Sequence, residues 1–328
     1  MSNRINKPML SSEQLVKKMR DEKGITFKYT SEDAAKIYLT NVNNYLRTAA
    51  YRSNYQKYTC GTNTGKYIDL DFAYLQELSV IDMHLRFLIS KMCSDIEHSL
   101  KVQLVNHVLQ NNTSDGYSIV KNFLAQNPYI LNKLNIMASA PFTDGLINKY
   151  FTVKRTYDST SKKNLNQIVS YDDCPIWVLC ELLSFGDFIY LYRYYYGVEK
   201  DLTITPALLN LVKSLRNAAA HNNCIISNLR HGASAPPREI RDAVKKIPSI
   251  TTSQRQKKLS CRPMLEFVSL LYVYSQIVDG KVRIHRVEEL KVLFFDRIPQ
   301  KKTYFKNNDL ILSNYRFACI IIDEFLLQ

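Results

Sequence analysis

Three observations predict an all-α fold for this chain. Only nine Gly and ten Pro stand among 328 residues, too few breakers for a turn-rich β architecture. Helix start signals recur at Ser11, Ser31, Pro175 and Thr205-Pro206, each pairing a capping or N-terminal residue with a periodic run. Leu78, Ile81, Leu85, Leu88, Met92, Ile96, Leu100 and Leu104 recur every three or four residues, the stripe of a long amphipathic helix. With 46% apolar residues the chain can bury a core, which excludes intrinsic disorder.

Residues 1–110 read as N-terminal helices followed by the long bundle helix. Ser11-Ser12-Glu13-Gln14, and Ser31 ahead of Glu32, Asp33 and Ala34, predict two helices before about Lys57. The stretch Thr59 to Lys66 places Gly61 and Gly65 like a phosphate loop, but Gly-x-x-x-Gly-Lys-Tyr has the wrong spacing and reads as a plain loop. Beside the stripe, Asp82 with Arg86 and Glu97 with Lys101 stand acid-first at i, i+4. They are expected to be solvated pairs worth a few tenths of a kcal/mol. His84, His98 and His107 do not fall together as metal ligands and are expected at the surface.

Residues 111–173 read as a looser insertion with the basic cluster Lys149, Lys154, Arg155, Lys162 and Lys163, beside which Asp158 is the one acid. In residues 174–228, Pro175 is placed at the first position of an apolar helix ending in Tyr194-Tyr195-Tyr196, and Thr205-Pro206 heads a helix to about Asn223. Residues 229–263 hold nine Lys/Arg against Glu239 and Asp242, a net +7, and read as a basic mobile loop or short exposed helix. Periodicity returns over 264–328 as two or three more helices. The five segments are expected to form one composite domain.

The 44 Lys+Arg exceed the 30 Asp+Glu by 14, a field that attracts polyanions. The seven cysteines are scattered, without the pair spacing of a zinc site or disulfide framework, so a reducing cytosol is expected. The apolar stretch Asp309 to Gln328 is interrupted by Asn314, Arg316, Asp323 and Glu324, and no membrane partner is expected.

Chemistry concentrates in Lys213-Ser-Leu-Arg-Asn-Ala-Ala-Ala-His-Asn222. At 100° per residue, with Asn217 at zero, His221 falls at about 40°, Ala220 at about −60°, Arg216 at about −100° and Lys213 at about −40°. Leu208, Leu211, Val212 and Leu215 fall between about 120° and 220°, so the apolar stripe faces the other way. An Arg can neutralise a phosphate, a His at a helix C-terminus can move the proton of a ribose 2′-hydroxyl, and an Asn can hold the imidazole or the scissile phosphate. Arg216, Asn217 and His221 are therefore the candidate catalytic set, for RNA cleavage without a metal or other cofactor. Lys213, Lys154, Arg155, Lys162, Lys163, Lys245, Lys246, Arg255, Lys257 and Lys258 are the candidate RNA contacts.

Arg216-Asn217-Ala-Ala-Ala-His221 resembles the R-N-x-x-x-H signature of HEPN ribonucleases. Cys174-Pro-Ile-Trp-Val-Leu-Cys-Glu-Leu-Leu-Ser-Phe-Gly186 is similar to the P-x-W-x-x-x-E-x-x-x-F-G block of the Abi-like (abortive infection) family. Asn44-Tyr45-Leu46-Arg47 with Tyr51, and Ile81-Asp82-x-x-Leu-Arg86 to Ile96-Glu97, resemble that family too. The resemblance implies a HEPN-like helical bundle elaborated with additional helices, a role in phage defence, and association in some branches with a small structured non-coding RNA. A homodimer facing two copies of the motif is the expected assembly. A non-catalytic RNA-binding protein is the alternative.

Overall fold

Local capping chemistry sets the first helices. The computed structural model describes residues 8–111, 115–159, 162–198 and 204–328. Helix α1 (Ser12–Asp21) starts at a capping box, in which the Gln14 N–H donates to Ser11 Oγ at 3.2 Å and the Ser11 N–H to Gln14 Oε1 at 2.9 Å. Ser31 caps α2 (Glu32–Asn41) through the Ala34 N–H. A third helix, α3 (Tyr45–Ala50), capped by Asn44, follows where only two were expected. Its six residues are too few to show a period in the sequence.

Helix α4 (Phe72–Gln110) runs for 39 residues, about 58 Å at 1.5 Å per residue. All its stripe residues from Leu78 to Leu104 are buried. The pairs beside the stripe are not solvated. Asp82 and Arg86 bond each other with side chains 0% and 8% exposed, because Tyr51 and the chain near Ile226 close over them. Lys101, 2.9 Å from Glu97, is 13% exposed and also donates to the Leu183 carbonyl at 3.2 Å.

The described residues fall into two compact units. The first comprises those up to Cys93 with Ser214–Ser275 and Asp279–Gln328, the second those of Ser94–Lys213 with Gln276–Val278.

The second unit holds α5 (Ser118–Gln126), α6 (Pro128–Met137), α7 (Asp144–Tyr150), an antiparallel hairpin of β1 (Thr152–Asp158) and β2 (Lys163–Ser170), then α8 (Ile176–Leu182) and α9 (Phe185–Val198). The hairpin makes the fold mainly rather than wholly α. Its alternating Val153, Tyr157, Leu165 and Val169 suit a pleated strand, and the Ile168 N–H is taken up by Asn135 Oδ1 at 2.7 Å. The apolar run expected as one helix is two. Pro175 stands at the N-cap rather than inside α8, and Leu183 (ψ 132°) leaves the helical region. Ser184 starts the chain again, its Oγ accepting from the Asp187 N–H at 3.3 Å and donating to Asp187 Oδ2 at 2.7 Å.

Helix α10 (Pro206–Ala220) begins in the second unit and ends in the first. Thr205 precedes it as expected, but its buried hydroxyl makes no hydrogen bond. The first unit is completed by α11 (Arg238–Lys245), α12 (Thr252–Ser260), α13 (Arg262–Ile277, up to Ser275), α14 (Gly280–Lys291) and α15 (Asp309–Ile322). The basic segment read as a mobile loop or short exposed helix thus carries α11 and α12. Buried Ile240, Val244, Ile247 and Leu259 anchor it, and Thr251 with Gln254 forms a second capping box. One apolar residue per turn suffices when the rest of the unit supplies the facing surface.

Candidate functional site

Helix α10 has two chemically distinct faces. Leu208, Leu211, Val212, Leu215 and Ala219 are buried, whereas Arg216, Asn217, Ala220 and His221 are exposed. Arg216 Nη1 donates to Asn217 Oδ1 at 3.3 Å, so the two side chains lie together at the surface.

The helix stops earlier than the expected Asn223, and backbone hydrogen bonds explain where. The Asn222 N–H donates to the Ala219 carbonyl at 3.0 Å and the Asn223 N–H to the Ala218 carbonyl at 2.8 Å. Asn222 has φ +55°, the left-handed residue of a Schellman motif, which Asn tolerates better than other side chains with a Cβ. His221 is therefore the C-cap, its N–H still on the Asn217 carbonyl at 2.9 Å. Its imidazole stands at the negative end of the helix dipole.

The chain beyond His221 is held from beneath by side chains of α3, α4 and the turn between them. Arg47 donates to the Asn222 carbonyl, and Arg86 Nη1 to the Asn223 carbonyl at 3.4 Å. Asp82 accepts the Ile226 N–H at 2.9 Å and the Tyr51 hydroxyl at 3.0 Å. Asn54 donates to the Ile226 carbonyl at 2.9 Å and accepts the Leu229 N–H at 2.8 Å. Burial pushes the Asp82 carboxyl above the usual carboxylate range, against the pull of the Ile226 N–H and Arg86. Burial likewise raises the Tyr51 hydroxyl, which stays protonated and donating.

The candidate RNA contacts stand in two groups. On the second unit's hairpin, Lys154, Arg155 and Lys162 are exposed, with Arg155 Nη2 donating to Asn148 Oδ1 at 2.5 Å. The side chain of Lys163 lies outside the described residues. Lys213 is half-buried, its Cδ 3.4 Å from where a Cβ on Gly186 would stand. In the first unit, Lys245, Lys246 and Lys257 are exposed and Arg255 half-buried. Lys258 differs: its Nζ donates to Ser313 Oγ at 2.7 Å, and burial lowers its pKa. That lysine ties α12 to α15.

Sequence reasoning missed Ser53 and Asn54. Ser53 Oγ donates to the Ser227 carbonyl, and Asn54 is only 2% exposed. Neither residue type signals such a role, since small polar residues near a helix end are ordinarily solvated. Among the described residues no helix is long and apolar enough to cross a membrane.

Fold and site together define a mainly helical, strongly basic protein that presents an Arg-Asn-x-x-x-His helix end on a buried polar framework. Comparison with known families gives the lineage. The sequence model of one family, described as Abi-like protein, matches residues 37–227, more than half the chain and nearly all of that framework. The chain therefore belongs to the Abi-like family and is a protein of abortive-infection type. No curated protein and no solved structure matches it.

Proposed function

We propose that the end of α10 is the active site of a metal-independent endoribonuclease of HEPN type, acting on RNA in abortive infection. The observation that carries this reading is the exposure of Arg216, Asn217 and His221 on one face, above backbone held by the buried Asp82–Arg86 pair and Asn54. Polar side chains left in solvent on a fixed frame are what general acid–base chemistry needs.

In the proposed step, His221 takes the proton of a ribose 2′-hydroxyl, and the 2′-oxygen attacks the adjacent phosphorus. The bond from phosphorus to the 5′-oxygen breaks, and that oxygen receives a proton. Arg216 neutralises the charge growing on the phosphoryl oxygens, and Asn217 holds Arg216 toward it. One His cannot be base and acid at the same instant, so a symmetric homodimer, with one His221 from each copy, supplies both. The surface charge, +14 over the chain, fits a small structured non-coding RNA as bound partner.

Cleavage should persist in EDTA and leave 2′,3′-cyclic or 3′-phosphate ends. A hybrid dimer of wild-type and His221→Ala copies, with one His221 where the step uses two, should lose most of the wild-type activity, and a hybrid as active as the wild-type dimer would remove the shared site. RNA binding without cleavage under all these conditions would make the protein an RNA-binding scaffold instead.

A further inference from the structure

Lysine and tyrosine adjoin repeatedly in distant parts of the chain: Lys28-Tyr29, Lys57-Tyr58 and Lys66-Tyr67, with Tyr304 two positions before Lys306. The first unit gathers them. Both members of the first and third pairs, Tyr58, Tyr304 and Lys306 line one open cleft of about 990 Å³, at the upper end of ligand-site volumes. Lys57 sits over the ring of Tyr67 at 4.8 Å.

Within the cleft, Tyr29, Tyr74 and Tyr304 form a single aromatic cluster, with ring centroids 5.8, 5.2 and 5.1 Å apart. Tyr29 remains 60% exposed. Tyr74 and Tyr304 beside it are half-buried, and an exposed ring backed by others is a surface on which another flat ring gains by stacking. Lys28 and Lys306 are exposed beside it. Arg230, nine residues after His221, also lines the cleft and is braced on the carbonyls of Ser53 at 2.8 Å and Tyr55 at 3.1 Å. Three carboxylates share the cleft. Asp71 is occupied by the Thr26 hydroxyl and the Lys28 N–H, both at 2.7 Å, whereas Asp309, and Asp69 with one oxygen on the Asn307 amide at 3.5 Å, are exposed acceptors suited to a base amino group or ribose hydroxyl. Rings to stack on, cations for phosphate and acceptors for a sugar match the three parts of one ligand.

We infer that this cleft binds an unpaired nucleotide, with its base on the Tyr29, Tyr74 and Tyr304 rings and its phosphate on Lys28 and Lys306. The nucleotide belongs either to a single-stranded stretch of RNA or to a free mononucleotide. Binding here requires no cleavage, so it goes beyond the ribonuclease reading and stands or falls separately.

The test uses His221→Ala protein, so that no probe is consumed, with a fluorescein-labelled single-stranded oligoribonucleotide in one arm and a nucleoside monophosphate in the other. Tyr29→Ala should weaken binding about 10-fold or more, the scale of one stacked base, while Tyr29→Phe, which keeps the ring, should bind like the parent. Replacing Lys28 and Lys306 together with Ala should flatten the salt dependence for the oligonucleotide by about 0.7, the loss of one phosphate contact. Tyr29-dependent binding in the oligonucleotide arm alone assigns the cleft to an RNA strand, and in the mononucleotide arm to a free nucleotide. Binding that ignores Tyr29→Ala, or no binding in either arm, overturns the inference. A Tyr29-dependent complex from a protein that never cleaves RNA defeats only the ribonuclease reading.

Discussion

The end of α10 and the β1–β2 hairpin both offer basic side chains to solvent, yet they are supported in opposite ways. Beneath His221 the chain is held by a buried ion pair, a buried Asn and two arginines that bind carbonyls. The hairpin has Lys154, Arg155 and Lys162 on a two-stranded ribbon, with Ile168 the one buried residue among its described strand side chains and with mostly exposed hydrogen bonds to Asn135, Ser139 and Asn148 fastening it. Chemistry on a bond loses rate steeply with misplacement, whereas a lysine near a phosphate works through a long, forgiving field. On the proposed function, the difference teaches that buried support, more than charge, separates the proposed reacting surface from the proposed docking one.

Removing the support beneath α10 should have the largest effect. Asp82→Ala leaves Arg86 buried without its partner and should cost about 3–5 kcal/mol, read as a fall in denaturation midpoint together with loss of RNA cleavage. An unchanged midpoint would mean that the framework is not under tension from this pair and that the contrast with the hairpin is wrong. Next comes His221→Ala, which should lose at least about 100-fold in cleavage rate with no change in thermal midpoint, because the side chain is exposed and only its backbone participates in the helix end. Full activity in this variant would remove the catalytic assignment.

A smaller effect is expected at Asn222, where Ala should destabilise by about 1 kcal/mol and Gly should be tolerated, since the left-handed position penalises a plain Cβ. Equal stability of the two variants would show that the Schellman end is not what sets the position of His221. Smallest in stability is the double change Lys154→Ala and Arg155→Ala, within about 0.5 kcal/mol of the parent. It should flatten the salt dependence of RNA binding by about 1.4 to 1.8, from 0.7 to 0.9 per contact. A large loss of stability there would make the hairpin a structural element and blur the comparison.

Much of this arrangement was legible before any coordinate. The stripe from Leu78 to Leu104 and the caps at Ser11 and Ser31 depend on neighbours within one or two turns, and local periodicity and capping report them faithfully. The exposure of Arg216, Asn217 and His221 was readable for the same reason: a helical wheel converts spacing into direction. The break at Leu183 and the helices of the basic segment were not, because each is settled by what packs against it. Lys258 reads in sequence like any lysine in a basic run, and only its hydrogen bond to Ser313 removes it from solvent.

By itself, then, the sequence determined that the chain is helical and basic and that one helix end carries an arginine, an asparagine and a histidine on its polar side, since these follow from short-range spacing and summed charge. Only the tertiary structure decided that Asp82 and Arg86 are buried, that Ser53 and Asn54 brace a segment more than 170 residues away, and that lysine–tyrosine pairs from separate regions meet in one cleft. Burial and convergence are properties of segments brought together by the fold, and a polar residue bears no local mark of the neighbours it will meet.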